Sequence, residues 1–320
     1  MLRYRADLRT LLWMLVLSPG LVAIQYVRPE LVPLLWWVSV YFAIAASTIA
    51  HNHQHCPTFE NKLANTLFSY WISIIYGFPT FAWVPTHNLN HHKFVNKPGD
   101  ATITWRFTNR HNYLVAASYF FVSSFYQSGP IKEFLARIKT KDPGRYYVYL
   151  SQYAVVIGAH VALGSLAVHL HGWKLGLTVY ALTVGIPAFV SLWTVMTFNY
   201  DQHVHTDPWS KYNHSRNFVS PLLNFLLFNN GYHTVHHENA GRHWSLGRVE
   251  HEKIAHLIHP DLNQKSMWLF WLKQYVLTPF RPELGTKQIG RAPWDTGDTK
   301  LDIATAEVGF GDTGSNVARV

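Results

Sequence analysis

Four stretches of this chain, approximately Thr10–Val27, Leu31–Ala50, Tyr146–Leu170 and Leu175–Asn199, contain no Asp, Glu, Lys or Arg and are apolar along their length. About 20 such residues in a helix cross the hydrocarbon core of a bilayer, where only helices and closed barrels satisfy every backbone group. The expected fold class is therefore all-α integral membrane, with four transmembrane helices. The first stretch follows Arg3, Arg5 and Arg9, as a signal peptide would. It runs on through Ser18-Pro19-Gly20 into Leu21–Ile24 with no A-x-A cleavage site, so a retained anchor is expected.

Short turns around Arg28-Pro29-Glu30 and Gly172-Trp173-Lys174 join the stretches into two hairpins. Arg28 and Lys174 fall in those turns, and the other 25 of the 27 basic residues fall on the opposite side. The positive-inside rule then puts the N-terminus, the 51–145 region and the C-terminal region in the cytoplasm, as for a bacterial cytoplasmic membrane. Two further charge-free stretches, 63–84 and 111–131, would break that rule if both crossed. Together with 267–280 they read as helices lying in the interface or dipping into it. Residues 1–284 are expected to form one membrane domain, and 285–320, poor in apolar anchors, a flexible tail.

Charged residues make up 14% of the chain, well short of the quarter usual in soluble domains. The net charge of +9 is accounted for by topology, so no nucleic-acid partner is expected. Cys56 is the single cysteine, which excludes an internal disulfide, a cysteine-held zinc and an internal iron–sulfur donor. A metal in this chain has to be held by imidazole and oxygen, and there are 20 histidines.

Those histidines cluster. His51-Asn52-His53-Gln54-His55 begins where the second span ends, with His51 and His55 one helical turn apart. His87-Asn88-Leu89-Asn90-His91-His92 places His87 and His91 at the same spacing. His233-Thr234-Val235-His236-His237 is an i, i+3, i+4 arrangement, and Asn199 and His203 are again one turn apart at the end of the fourth span. Spans two and four both run toward the cytoplasm, so all four clusters converge on one helical cap there. Eight or more imidazoles exceed the needs of one ion and suit two octahedral ones, with iron, zinc, copper and nickel all compatible with nitrogen donors.

The three boxes, HxxxH at His51–His55, HxxxHH at His87–His92 and HxxHH at His233–His237, resemble those of the membrane fatty acid desaturase superfamily. The run Asn229-Asn230-Gly231-Tyr232 before the third box is similar to bacterial acyl-chain desaturases. The resemblance covers the chain from the first span to about Phe280. It implies a non-haem di-iron centre held by His51, His55, His87, His91, His92, His233, His236 and His237, with His203 as a further ligand and Asn199 acting through a water. It also implies oxygen-dependent desaturation of a fatty acyl chain linked to lipid, coenzyme A or a carrier protein, with dioxygen as co-substrate. Electrons would come from an external ferredoxin or cytochrome-type donor. The same centre serves hydroxylases, acetylenases and carotenoid oxygenases. The third box departs from the family in being followed by Glu238-Asn239-Ala240-Gly241 where a Pro is common.

A metal transporter is the reading from a different class. Transporters hold their ions near the bilayer midplane on broken helices, whereas these clusters lie at span ends. His53, His111, His160, His169, His171, His205, His214, His243, His251, His256 and His259 are expected to be structural or solvated. His205 and His243 lie closest to the clusters. Asp201 and Glu238 are candidates to orient ligand imidazoles, or are ordinary surface charges.

Overall fold

The computed structural model describes residues 1–297. Its regular structure among the described residues is helical apart from a two-residue parallel pairing, Asn217–Phe218 with Asn263–Gln264, and an isolated antiparallel bridge between Leu2 and Phe59. Three helical segments, Asp7–Val27, Pro29–His55 and Pro143–His203, are long and apolar enough to cross a membrane. There are four if the pair Lys62–Tyr76 and Thr80–Phe94, bent by 98°, counts as one. The chain is an integral membrane protein. It divides into two compact units, Met1–Trp83 with Phe134–Val195, and Val84–Glu133 with the chain from Met196 onward.

The first unit is built on helices that reverse at the two expected turns. After Tyr26 the chain turns through Pro29–Leu31 into the Val32–His55 helix, and Gln25 Nε2 donates to Ser39 Oγ at 2.8 Å. The long Pro143–Tyr180 segment breaks at Gly172, with φ 72° and ψ 172°. Beyond that break the chain doubles back. A Cβ on Gly176 would stand 2.5 Å from the Ala167 carbonyl oxygen, and Tyr180 OH lies 3.1 Å from His160 Nδ1. The two turns meet at one end of the unit, because His171 Nε2 donates to the Tyr26 carbonyl at 2.8 Å. Helices that reverse at such short loops pack as antiparallel neighbours.

The helix expected over 63–84 ends early. Lys62–Tyr76 is capped by Asn61 at its start and by left-handed Gly77 (φ 83°) at its end. It does not lie flat. Trp71 Nε1 donates to the Met14 carbonyl at 2.7 Å, Tyr70 OH to the Val148 carbonyl at 3.0 Å and His160 Nε2 to the Ile74 carbonyl at 3.0 Å. The segment is thus inserted among the long helices.

In the second unit, the helix expected over 111–131 continues through Pro130 to Lys141 as Tyr113–Lys141. The helix expected over 267–280 is Met267–Trp271 followed by a wide π turn, Leu272–Leu277. Leu114, Phe121, Phe125, Trp268 and Phe280 are exposed along these two elements. The expected tail is anchored at its start: Ile289 N donates to the His205 carbonyl, Gln288 Nε2 to the Thr206 carbonyl, and the Arg291 guanidinium lies over the Trp209 ring. The rest of it, 298–320, lies outside the described residues.

Candidate metal centre

Three elements of the second unit deliver histidines, and each is held by polar side chains rather than by propensity. The first is the end of the Ile186–His203 helix. Its last carbonyls have no partners within the helix, and neighbouring groups supply them. Arg216 donates to the Asp201 and Val204 carbonyls, its backbone N–H to that of Gln202, and Asn96 Nδ2 and Thr206 Oγ1 to that of His203. Arg216 is fully buried, and burial pushes its pKa down to about 10. It keeps its charge against the negative end of the helix dipole.

The short His233–Glu238 helix is fixed at its start. Asn217 bonds Thr234 at both ends of its amide, and Gly231 N–H donates to Asn224 Oδ1 at 3.0 Å. The third element, Val84–His91, is a π turn running into His92–Phe94.

The ring nitrogens from these elements gather at two foci. At the first, His203 Nε2 lies 3.1 Å from His91 Nε2, 2.9 Å from His233 Nε2 and 3.2 Å from His237 Nε2, and the last two are 3.1 Å apart. At the second, His92 Nε2 lies 3.1 Å from His87 Nε2 and 2.9 Å from His236 Nε2. Imidazole nitrogens about 2.1 Å from one divalent ion stand about 3.0 Å apart at neighbouring octahedral corners, so both foci have ligand-shell spacing.

The proton count supports the same reading. His91 Nδ1 lies 2.8 Å from Asp100 Oδ2, and His203 Nδ1 lies 3.2 Å from the His214 carbonyl. Each ring donates there, so both Nε2 atoms at the first focus carry lone pairs. Adding protons is disfavoured: burial, then the neighbouring His92, His233, His203 and His91, hold His237 well below the ordinary imidazole range. Burial, with Lys97 and His91, pushes His214 down to about 4. Mutually facing imidazole nitrogens, buried or half-buried, are a donor set that fits a divalent metal.

His87 and His91 stack as expected, with ring centroids 5.1 Å apart, but their Nε2 atoms meet different partners. In a π turn, residues five apart share a face, so His87 meets His92 and His91 goes to the other focus. His205, the rival to His203, binds the Asn109 carbonyl through Nε2 at 2.6 Å and Thr286 through Nδ1. His243 caps the Trp244–Leu246 turn, accepting from Ser245 N. Asn199 turns its amide nitrogen to Tyr119 OH at 3.4 Å. In the first unit, His51 and His55 are buried on one face of the Val32–His55 helix with ring centroids 4.8 Å apart. His51 packs edge-on to Trp83.

The two candidate orienting carboxylates act elsewhere. Asp201 accepts from Trp271 Nε1 and Tyr275 OH and lies 3.4 Å from His111, while Glu238 is exposed. The carboxylate on a cluster imidazole is Asp100, which sequence reasoning missed.

No curated protein and no solved structure matches the chain. A family model, Fatty acid desaturase, matches residues 29–271, a range that contains every histidine of both foci as well as His51 and His55. The chain belongs to the fatty acid desaturase family, whose members are oxidoreductases acting on fatty acyl chains in membranes.

Proposed function

We propose that the chain is an oxygen-dependent acyl-chain desaturase whose centre holds two iron ions. The observation that carries this is the pair of Nε2 foci with ligand-shell spacing. His91, His203, His233 and His237 would hold one ion. His87, His92 and His236 would hold the other, and Asn199 would hold a water through Oδ1; the family's motif adds His51 and His55 to the ligand set. Iron bound there supplies dioxygen activation: a saturated acyl chain, O2, two electrons and two protons give the alkene and two waters.

The chain's own residues set the conditions. Burial, with the neighbouring imidazoles, holds His203 and His237 well below the ordinary imidazole range, which keeps their lone pairs available to a metal. The apolar spans admit an acyl chain from the membrane side. The two electrons come from an external ferredoxin or cytochrome-type carrier, because one cysteine cannot hold a cluster. In the membrane we place four spans as two hairpins, with the turns at Arg28 and Gly172 outside and the histidine cap in the cytoplasm.

The test is the metal content of detergent-purified protein together with analysis of host lipids. About two irons per chain and a new unsaturated acyl species support the proposal. A hydroxylated product moves it to the hydroxylase branch of the family. One zinc, or no bound metal in an intact preparation grown with ample iron, overturns it.

A further inference from the structure

Nine residues beyond His91 the chain closes a loop on itself. His91 and Asp100 lie at its two ends, and neither side chain has any exposed surface. Val95 and Asn96 take left-handed φ of 46° and 63° to close it. Asp100 is saturated with donors. Oδ1 accepts from Thr102 N–H at 2.7 Å and Thr102 Oγ1 at 2.6 Å; Oδ2 accepts from Asn96 N–H at 2.7 Å and faces His91 Nδ1 at 2.8 Å. Thr102 spends its hydroxyl proton on Oδ1, so its oxygen, 2.9 Å from His91 Nδ1, can only accept there; with Oδ2 facing the same nitrogen, the imidazole carries its proton on Nδ1.

We propose that Asp100 is a positioning residue of the metal centre: by accepting the Nδ1 proton of His91 it fixes that ring with Nε2 toward His203, His233 and His237. An ionised acceptor also makes Nε2 a stronger donor to a cation. Asparagine is nearly isosteric but wrong at this position. Either orientation of its amide turns an N–H2 toward backbone or imidazole N–H donors.

The proposal rests on the metal-centre reading, and cobalt(II) titration of the full-length protein in detergent separates the two. Wild-type protein that binds no cobalt fails the metal-centre reading itself. If wild type binds two, D100N is expected to bind one of them about 10–100-fold more weakly, with a changed visible band. Thr104→Val loosens the same loop at Asn96 without touching His91 or Asp100, and it is expected to keep both ions at wild-type affinity. Wild-type affinity in D100N overturns the proposal. So does equal weakening by T104V, which would make loop architecture the cause. If D100N does not fold, D100E decides: it keeps the charge but moves the oxygen, so its affinity and band shift if Asp100 positions His91, and unchanged values overturn the proposal.

Discussion

His91 Nε2 and His203 Nε2 face each other at 3.1 Å although both rings spend their proton on the far side, His91 on Asp100 and His203 on the His214 carbonyl. Two lone pairs at that distance repel unless a cation lies between them. If the proposed centre holds its ions, the folded state is stabilised by them. Chelation should lower the thermal unfolding temperature in detergent, and added iron(II) or cobalt(II) should restore it. Ligand at about a thousandfold its dissociation constant stabilises by about 4 kcal/mol. An unfolding temperature indifferent to chelator, in protein shown to have lost its metal, would contradict this.

In the proposed centre His203 is a ligand and His205 is scaffold. His203→Ala should remove one metal equivalent and abolish product. His205→Ala should keep both metals and cost about 1–2 kcal/mol through the lost bonds to Asn109 and Thr286. Metal analysis of the two proteins side by side checks the assignment, and a His205 variant that loses metal would reverse it.

Arg216 sets where the helix carrying His203 ends. Arg216→Met keeps the bulk but leaves the Asp201 and Val204 carbonyls unpaired. Destabilisation of about 3 kcal/mol is expected, read as a lower unfolding temperature with metal present and absent alike.

Gly176 is where the second reversal is tightest. A Cβ there meets Ala167 and Val168 backbone at 2.5 Å, which no side-chain movement relieves. Gly176→Ala should cost about 1–3 kcal/mol. Gly158→Ala, with nothing within 4 Å, should be neutral or mildly stabilising. Equal effects in an unfolding assay would rule out the close approach.

His111 gives the fold a pH dependence apart from the ligands. It is packed against Asp201, Arg216, His205 and Tyr275, and burial first of all pushes its pKa from 6.5 down to about 4. The unfolded chain takes up this proton before the folded one. The associated stability is fully present above pH 6.5 and is lost as pH falls toward 4, about 3 kcal/mol in all. His111→Gln should melt with a shallower slope over that window.

Much of the frame was legible because it follows from charge-free length. The turns at Arg28 and Gly172 needed only the sequence. Element ends were less so. The second helix continues to His55 and the last long one to His203, since buried histidines give a helix no reason to stop where the apolar run does. The foci's members were all legible as motif histidines, but their partition was not, because it depends on a π turn that the i, i+4 expectation excludes. Asp201 was a poor guess for a physical reason: two residues before His203 on a helix is nearly the opposite face. Asp100 was invisible because a loop, with no periodicity to read, brings it to His91.

The wide turn at Val84–His91 has a consequence for how such a motif can vary. Over one turn, a π segment brings together residues five apart where an α segment brings together residues four apart. Shortening Asn88–Asn90 by one residue and letting the turn relax to α geometry would leave the first and last histidines of the box still facing each other. The length of the second box and the pitch of its helix can thus change together while its outer histidines keep facing each other, a trade within the backbone.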